Sequence, residues 1–300
     1  MAITKLQFDV LTYLEDGNRR FNAGLIAKEK YLEESCVLEV EKELSELSFI
    51  KDGFITDKGI EALSPYKVDH ALFIAAGFGS RMVPVTLKTP KPLVMVNGKR
   101  IIDTLIDAVL GAGINNITIV RGYLKEQFDV LKEKYPMIRF IDNPLYDKTN
   151  NISSGYYAKH LYKNSYVLEG DIVLANPKLI TKYQYECNYL GVPVEKTDDW
   201  CLTTNEKGIV TKVGQGGENC HHLFGITYWN KEAGEKLEKH IDYVFNNVEG
   251  GRKNFWGFIP LIFYKDQYEV HVRRCSFSDI AEIDTFEELK AIDPSYENYK

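Results

Sequence analysis

Residues 75–93 read Ala-Ala-Gly-Phe-Gly-Ser-Arg-Met-Val-Pro-Val-Thr-Leu-Lys-Thr-Pro-Lys-Pro-Leu, and no other stretch constrains the chain so tightly. The run Ala71-Leu72-Phe73-Ile74-Ala75-Ala76 has the composition of a buried strand and delivers the backbone into Gly77-Phe78-Gly79. Two glycines this close allow positive φ and a near approach to a ligand. Successive amides in such a loop form a concave anion site, to which Arg81 adds a guanidinium that forks onto phosphate oxygens. Lys91 stands between Pro90 and Pro92, a stiff mount for a point positive charge. Loop amides, one Arg and one Lys together predict a triphosphate cradle, with Gly77 and Gly79 as its backbone.

From residue 70 onward, strand and helix patterns alternate. Strands are expected at 71–76, 117–120, 138–141 and 165–169, with helices near 101–112, 124–134 and 153–162. This alternation predicts an α/β fold, a mainly parallel sheet flanked by helices. A hairpin is expected at 200–204 and 209–213, then a strand from Phe224 to Trp229 and a helix over 231–245.

Residues 1–66 read differently. Helices are expected over Leu6–Leu14, near 22–29 and near 32–47, the last with Leu32, Cys36, Val40, Leu44 and Leu47 on one face. Asp52-Gly53 signals a hairpin, and Thr56-Asp57 opens a further helix. Three helices and a two-stranded wing resemble a winged helix-turn-helix. Ser64-Pro65-Tyr66 is the expected linker, giving domains 1–66 and 67–300.

The joined pattern AAGxGSR…TPKPL is similar to that of nucleotidyltransferases that activate phosphorylated small molecules with a nucleoside triphosphate. Ile114–Phe128 resembles the pyrimidine-contacting segment of the bacterial phosphocholine cytidylyltransferases. Asn150-Asn151-Ile152-Ser153-Ser154, Ser165–Asp171 and Glu282-Ile283-Asp284 resemble that family too. The likeness covers about residues 70–292 and leaves 1–66 outside. It implies CTP as donor, Mg²⁺ as cofactor and pyrophosphate as product.

Attack of one phosphate on another brings two anions together, so charge neutralisation and alignment dominate. Arg81 is expected on the β- and γ-phosphates, Lys91 at the α-phosphate. The resemblance implies Asp171 and Asp284 as metal ligands. Asp171 also closes an apolar strand, where ligands meet parallel sheets. Asp284 has a second reading as a helix cap, and Glu169 could act through water. Ala75, Ala76, Gly122, Tyr123 and the Asn150/Asn151 amides are the expected base readers.

A quaternary ammonium needs aromatic faces and nearby carboxylates. Asp198-Asp199-Trp200 supplies both, and Tyr228, Trp229 and Trp256 add aromatic surface. The resemblance implies phosphocholine as the first acceptor. Arg252-Lys253-Asn254 precedes Phe255-Trp256 where phosphocholine-using relatives carry acids, which keeps ethanolamine phosphate and 2-aminoethylphosphonate open. Cys220-His221-His222 lacks a second ligand pair spaced for zinc.

Charge and composition narrow the alternatives. With 44% hydrophobic and 27% charged residues, the 300-residue chain reads as a soluble globular protein without a membrane span. Five scattered cysteines and no secretory apolar core point to a reducing, cytoplasmic setting. Residues 1–70 hold 9 Lys/Arg against 14 Asp/Glu. The expected third helix carries Glu33, Glu34, Glu39, Glu41, Glu43 and Glu46 against Lys42, which argues against nucleic acid as a partner. Dimerisation, or packing on the catalytic domain, is the expected role. The expectation is a cytidylyltransferase. A sugar-1-phosphate nucleotidyltransferase and a nucleotide-sensing DNA-binding regulator are the alternatives.

Overall fold

Thr4 opens the first helix with a reciprocal cap. Its hydroxyl accepts from Gln7 N, and the Gln7 side chain accepts from Thr4 N. Helix α1 (Lys5–Glu15) is followed by α2 (Ala23–Lys30), capped by Asn22, and by α3 (Glu34–Glu46). Strands β1 (Ile50–Lys51) and β2 (Phe54–Ile55) form a hairpin in which Asp52 and Gly53 both take positive φ, as the tightest hairpin turn requires. Thr56 then caps α4 (Asp57–Leu63). Leu11, Leu14, Ile26, Val37, Leu44 and Leu63 close a core of their own.

Two expectations change here. Because α3 starts at Glu34, its buried face is Val37, Val40 and Leu44, and Cys36 is exposed. Ser64–Tyr66 is a helical turn rather than a free linker: Tyr66 stacks on Tyr185 at 5.1 Å and packs against Phe8 at 5.3 Å. The computed structural model describes residues 2–299 and divides into two units. The first holds the chain up to Lys67 with Tyr183–Tyr185, and the second Val68–Lys182 and Glu186 onward.

The second unit is built on β3 (His70–Ala75). After the glycine loop come a small hairpin, β4 (Met95–Val96) and β5 (Lys99–Arg100), then α5 (Ile101–Gly111), β6 (Ile117–Arg121), α6 (Leu131–Lys134), β7 (Arg139–Asp142) and α7 (Ile152–Tyr157). Next are β8 (Ser165–Glu169), β9 (Ile172–Leu174), β10 (Asn188–Thr204), β11 (Val210–Trp229), α8 (Lys231–Asn247), β12 (His271–Arg274), β13 (Ile280–Glu282) and α9 (Phe286–Ile292). Seven strands form one sheet in the order β12-β10-β11-β8-β3-β6-β7. The pairs β8–β3, β3–β6, β6–β7 and β10–β12 are parallel, whereas β11 runs antiparallel to both neighbours. This is the expected mainly parallel sheet.

Alternation along β3 supplies both faces. Ala71 and Phe73 pack with Ile102, Leu105, Ile106 and Val109 of α5, while Leu72 and Ile74 join Leu237, Ile241 and Val244 of α8. Two expected helices are broken. Arg121 Nη1 takes the Lys125 carbonyl at 3.1 Å, and Leu124 stands at φ +46°, so 125–130 forms a tight turn before α6. The helix expected at 153–162 stops at Tyr157, with a separate turn over Lys159–Leu161.

The hairpin is far longer than expected, and it bends. Register slips between Thr197 and Trp200, opposite Gly214-Gln215-Gly216-Gly217, with Gly216 at φ +74°. Beyond the bend, Cys201 pairs with both Gly214 and His222, and Leu202 with both Val213 and His221. The distal arm is thus folded back onto its own base. Among the described residues no helix is long and apolar enough to cross a membrane.

Candidate active site

Gly79 closes the loop after β3 at φ +63°, and its carbonyl accepts from the Thr86 hydroxyl at 2.9 Å. The conformation is one that glycine adopts without cost. A Cβ at Gly79 would lie 2.9 Å from Lys91 Cβ and 3.1 Å from Thr86 Cγ2. Gly79→Ala is therefore expected to cost about 1–2 kcal/mol in backbone strain. By displacing Lys91 it should also lower turnover at least about tenfold, measurable by thermal melts and product release.

Lys91 is 8% exposed, and its ammonium donates to Asp171 Oδ2 and to Asp284 Oδ1, both at 2.8 Å. Burial disfavours its charge, but the Asp171 charge and the hydrogen bonds to Asp171 and Asp284 outweigh that and hold its pKa above the usual lysine value. Arg81 Nη2 reaches Asp284 Oδ1 at 2.8 Å from a side chain that is 67% exposed. Gly170 lets Lys91's mount sit close, since a Cβ there would meet Pro92 Cγ at 3.0 Å and Ala75 Cβ at 3.1 Å.

The carboxylates arrive from two strand ends. Asp171 links β8 to β9, and β9 pairs antiparallel with β13, so Ile283 N donates to Asp171 O at 3.2 Å. Thr285 caps α9, while Glu288 accepts from both Asp284 N and Thr285 N. Asp284 is thus not the helix cap, and its side chain turns to Lys91. Oxygens of Asp171, Glu282 and Asp284 lie within 4.8 Å of one another. Asp171 Oδ1 is buried and has no hydrogen-bond partner among the described residues. Burial first, then the Asp171 charge, pushes the Glu169 and Glu282 carboxyls well above the usual glutamate range, with Lys91 opposing. Hard oxygen donors with an unmet lone pair suit a divalent cation such as Mg²⁺.

Two cavities share Gly77, Arg81, Asp171 and Asp284 in their walls. The smaller, about 250 Å³, is lined by Ala75, Gly79, Ser80, Lys91 and Pro92. The larger, about 440 Å³, adds Ala76, Asn150, Asn151, Asp199, Trp200 and Trp256. Trp200 packs against Phe255 at 6.0 Å and Phe258 at 5.4 Å. Trp256 is 2% exposed and packs on Tyr162 and Trp229. Asn151 is held from two sides: its Oδ1 accepts from Trp256 N at 2.9 Å, and its Nδ2 donates to Glu169 Oε1 at 3.4 Å. Asn150 ties down the facing loop, donating to Lys253 O.

Four expected site residues lie elsewhere. Tyr228 is fully buried against Tyr166, because strand alternation turns it toward the α5 face. Asp198 falls in the register slip of β10 and is exposed outside the cavity that holds Asp199. Gly122 and Tyr123 stand behind the glycine loop: a Cβ on Gly122 would meet Tyr146 at 2.7 Å, and Tyr123 N donates to Ala76 O at 3.1 Å. Tyr123 also packs on Phe78, so both residues support the loop. Sequence reasoning did not single out Glu282, Tyr189, Phe255 or Phe258. The i, i+2 spacing of Glu282 and Asp284 was the one local signal.

The nucleotidyl transferase family matches residues 70–173. The 2-aminoethylphosphonate cytidylyltransferase of Lancefieldella rimae is 31% identical over 76% of this chain and 93% of the relative. The choline-phosphate cytidylyltransferase of Streptococcus pneumoniae is 32% identical over 76% and 98%, respectively. A solved structure of the CTP:phosphocholine cytidylyltransferase from Streptococcus pneumoniae superposes with a TM-score of 0.70 at 31% identity, covering 77% of this chain and all of that one. With its phosphate loop, its buried lysine and these relatives along three quarters of its length, the chain belongs to the nucleotidyl transferase family, among its cytidylyltransferases.

Proposed function

We propose that this protein transfers the cytidylyl group of CTP to a small phosphate or phosphonate carrying a cationic amine, releasing pyrophosphate. Phosphocholine, phosphoethanolamine and 2-aminoethylphosphonate are the acceptors that fit this class. The observation that carries the proposal is the position of Lys91 and three carboxylates where the two cavities meet. An oxygen of the acceptor attacks the α-phosphorus, a new P–O bond forms, and the bond to the β-phosphate breaks as pyrophosphate leaves with its electron pair.

In this scheme the loop of Gly77 and Gly79 and the exposed Arg81 hold the leaving phosphates. Lys91 stabilises the charge that grows on the α-phosphate oxygens. Asp171 and Asp284, with Glu282, are the residues to hold Mg²⁺, which when bound neutralises the phosphates. Asn151, Asp199, Trp200 and Trp256 line the acceptor's side. For the first unit we favour a winged-helix-like domain that contacts protein, because α3 presents acids.

Pyrophosphate release is expected only when CTP, Mg²⁺ and an amine-bearing acceptor are all present. Release with glucose-1-phosphate and none with the amines would transfer the assignment to sugar activation. A panel of four nucleotides against these acceptors checks it.

A further inference from the structure

We propose that Glu169 reads the acceptor's amine, and that with the Tyr189 hydroxyl it selects a primary ammonium over a trimethylated one. The proposal rests on the cytidylyl-transfer reading above and specifies its acceptor. Glu169 ends β8 and lines the larger cavity. Its carboxylate lies across Gly225 of β11, where a Cβ would stand 2.5 Å from Oε2. Among the described residues no lysine or arginine pairs with it, since Lys91 is engaged by Asp171 and Asp284. The Asn151 amide gives it one long hydrogen bond, 3.4 Å. Tyr189, 3% exposed, lines the same cavity, and its buried hydroxyl has no hydrogen-bond partner among the described residues.

Buried polar groups left unpaired are costly, so their presence in a cavity wall specifies what completes them. A carboxylate and a phenol oxygen both accept hydrogen bonds. A primary ammonium brings three N–H donors and a full charge, enough for both at once. A trimethylammonium has no N–H and would leave both desolvated and unmatched. Sites built around such hydrogen bonds reject the analogue that lacks them.

Trp200, Phe255 and Phe258 pack on one another with interplanar angles of 70°, 60° and 67° and form an apolar wall of the same cavity. Glu169 also stands only two residues before Asp171, at the turn between β8 and β9, and both line the larger cavity, so the amine and the phosphorus end of a short acceptor fall in one cleft.

The test compares kcat/KM for 2-aminoethylphosphonate and for phosphocholine in the full-length enzyme with CTP and Mg²⁺. Wild type should favour the primary amine by about 10²-fold or more. Glu169→Gln should lower that ratio at least tenfold, through KM for the primary amine, with the half-saturating Mg²⁺ concentration unchanged. Gly225→Ala, which displaces the carboxylate without removing its charge, should shift the ratio the same way. A wild type that prefers phosphocholine, or a ratio untouched in both variants, overturns the inference. So does an equal loss for both acceptors with a raised Mg²⁺ requirement, which would assign Glu169 to the cation. If wild type releases no pyrophosphate with any amine, the cytidylyl-transfer reading itself falls.

Discussion

Lys91→Ala is expected to lower kcat by about 10²–10³-fold while KM for CTP changes far less. Two facts set this size. Lys91 is buried, so its charge acts with little screening, and its ammonium is held at 2.8 Å by two carboxylates that fix its position. Arg81 cannot replace it, because its side chain is two-thirds exposed and reaches Asp284 from the outer side. Lys91→Arg should also be slow, since a planar fork does not fit a mount built for a point charge between two prolines. Removing the cation leaves the half-buried Asp171 and Asp284 facing each other, which destabilises by less than the about 3–5 kcal/mol of a fully buried pair. Circular dichroism and a thermal melt on each variant separate lost folding from lost chemistry. A folded Lys91→Ala enzyme within threefold of wild-type kcat would remove Lys91 from the mechanism.

Asp171→Asn and Asp284→Asn form the second large effect. Each should raise the Mg²⁺ concentration needed for half-maximal rate and lower kcat by about 10²-fold or more, because each removes a charged oxygen from the same small cluster. Asp171 should be the more sensitive, as its Oδ1 has no partner among the described residues and so is the oxygen most ready for a cation. Glu282→Gln should be milder. Among the described residues it makes no ion pair with Lys91, so the substitution leaves both anchors of that cation in place. Pyrophosphate release titrated with Mg²⁺, with a chelator as baseline, reads all three variants. Equal rates in chelator and in Mg²⁺ for wild type would dismiss the cation from the site.

Much of what the fold gathers around Lys91 was legible in the order of residues. The glycines, Arg81 and Lys91 lie within fifteen residues, so their chemistry is local and their spacing carries it. Asp171 was legible from its strand end, and Asp284 from family likeness. The acceptor side was read less well. Tyr228 was taken for a wall of the site because aromatic content alone does not say which face of a strand a residue occupies. Asp198 and Asp199 are adjacent, yet only Asp199 lines the cavity, since a register slip next to them decides which carboxylate turns inward. The break in the 124–134 helix turns on a local contact instead: Arg121, four residues ahead at the end of β6, donates to the Lys125 carbonyl.

Taken alone, the order of residues established the alternating strands and helices, the anion-binding loop and the acidic character of the first helices. These follow from periodicity, backbone freedom and charge within short windows. Only the folded chain brought Lys91 to Asp171 and Asp284, which lie 80 and 193 positions away. Strand pairing between β9 and β13, and the fold-back of the β10–β11 hairpin, determine which side chains share a cavity. Such pairings are chosen by packing over the whole sheet, and a one-residue change of register would turn every one of those side chains to the opposite face.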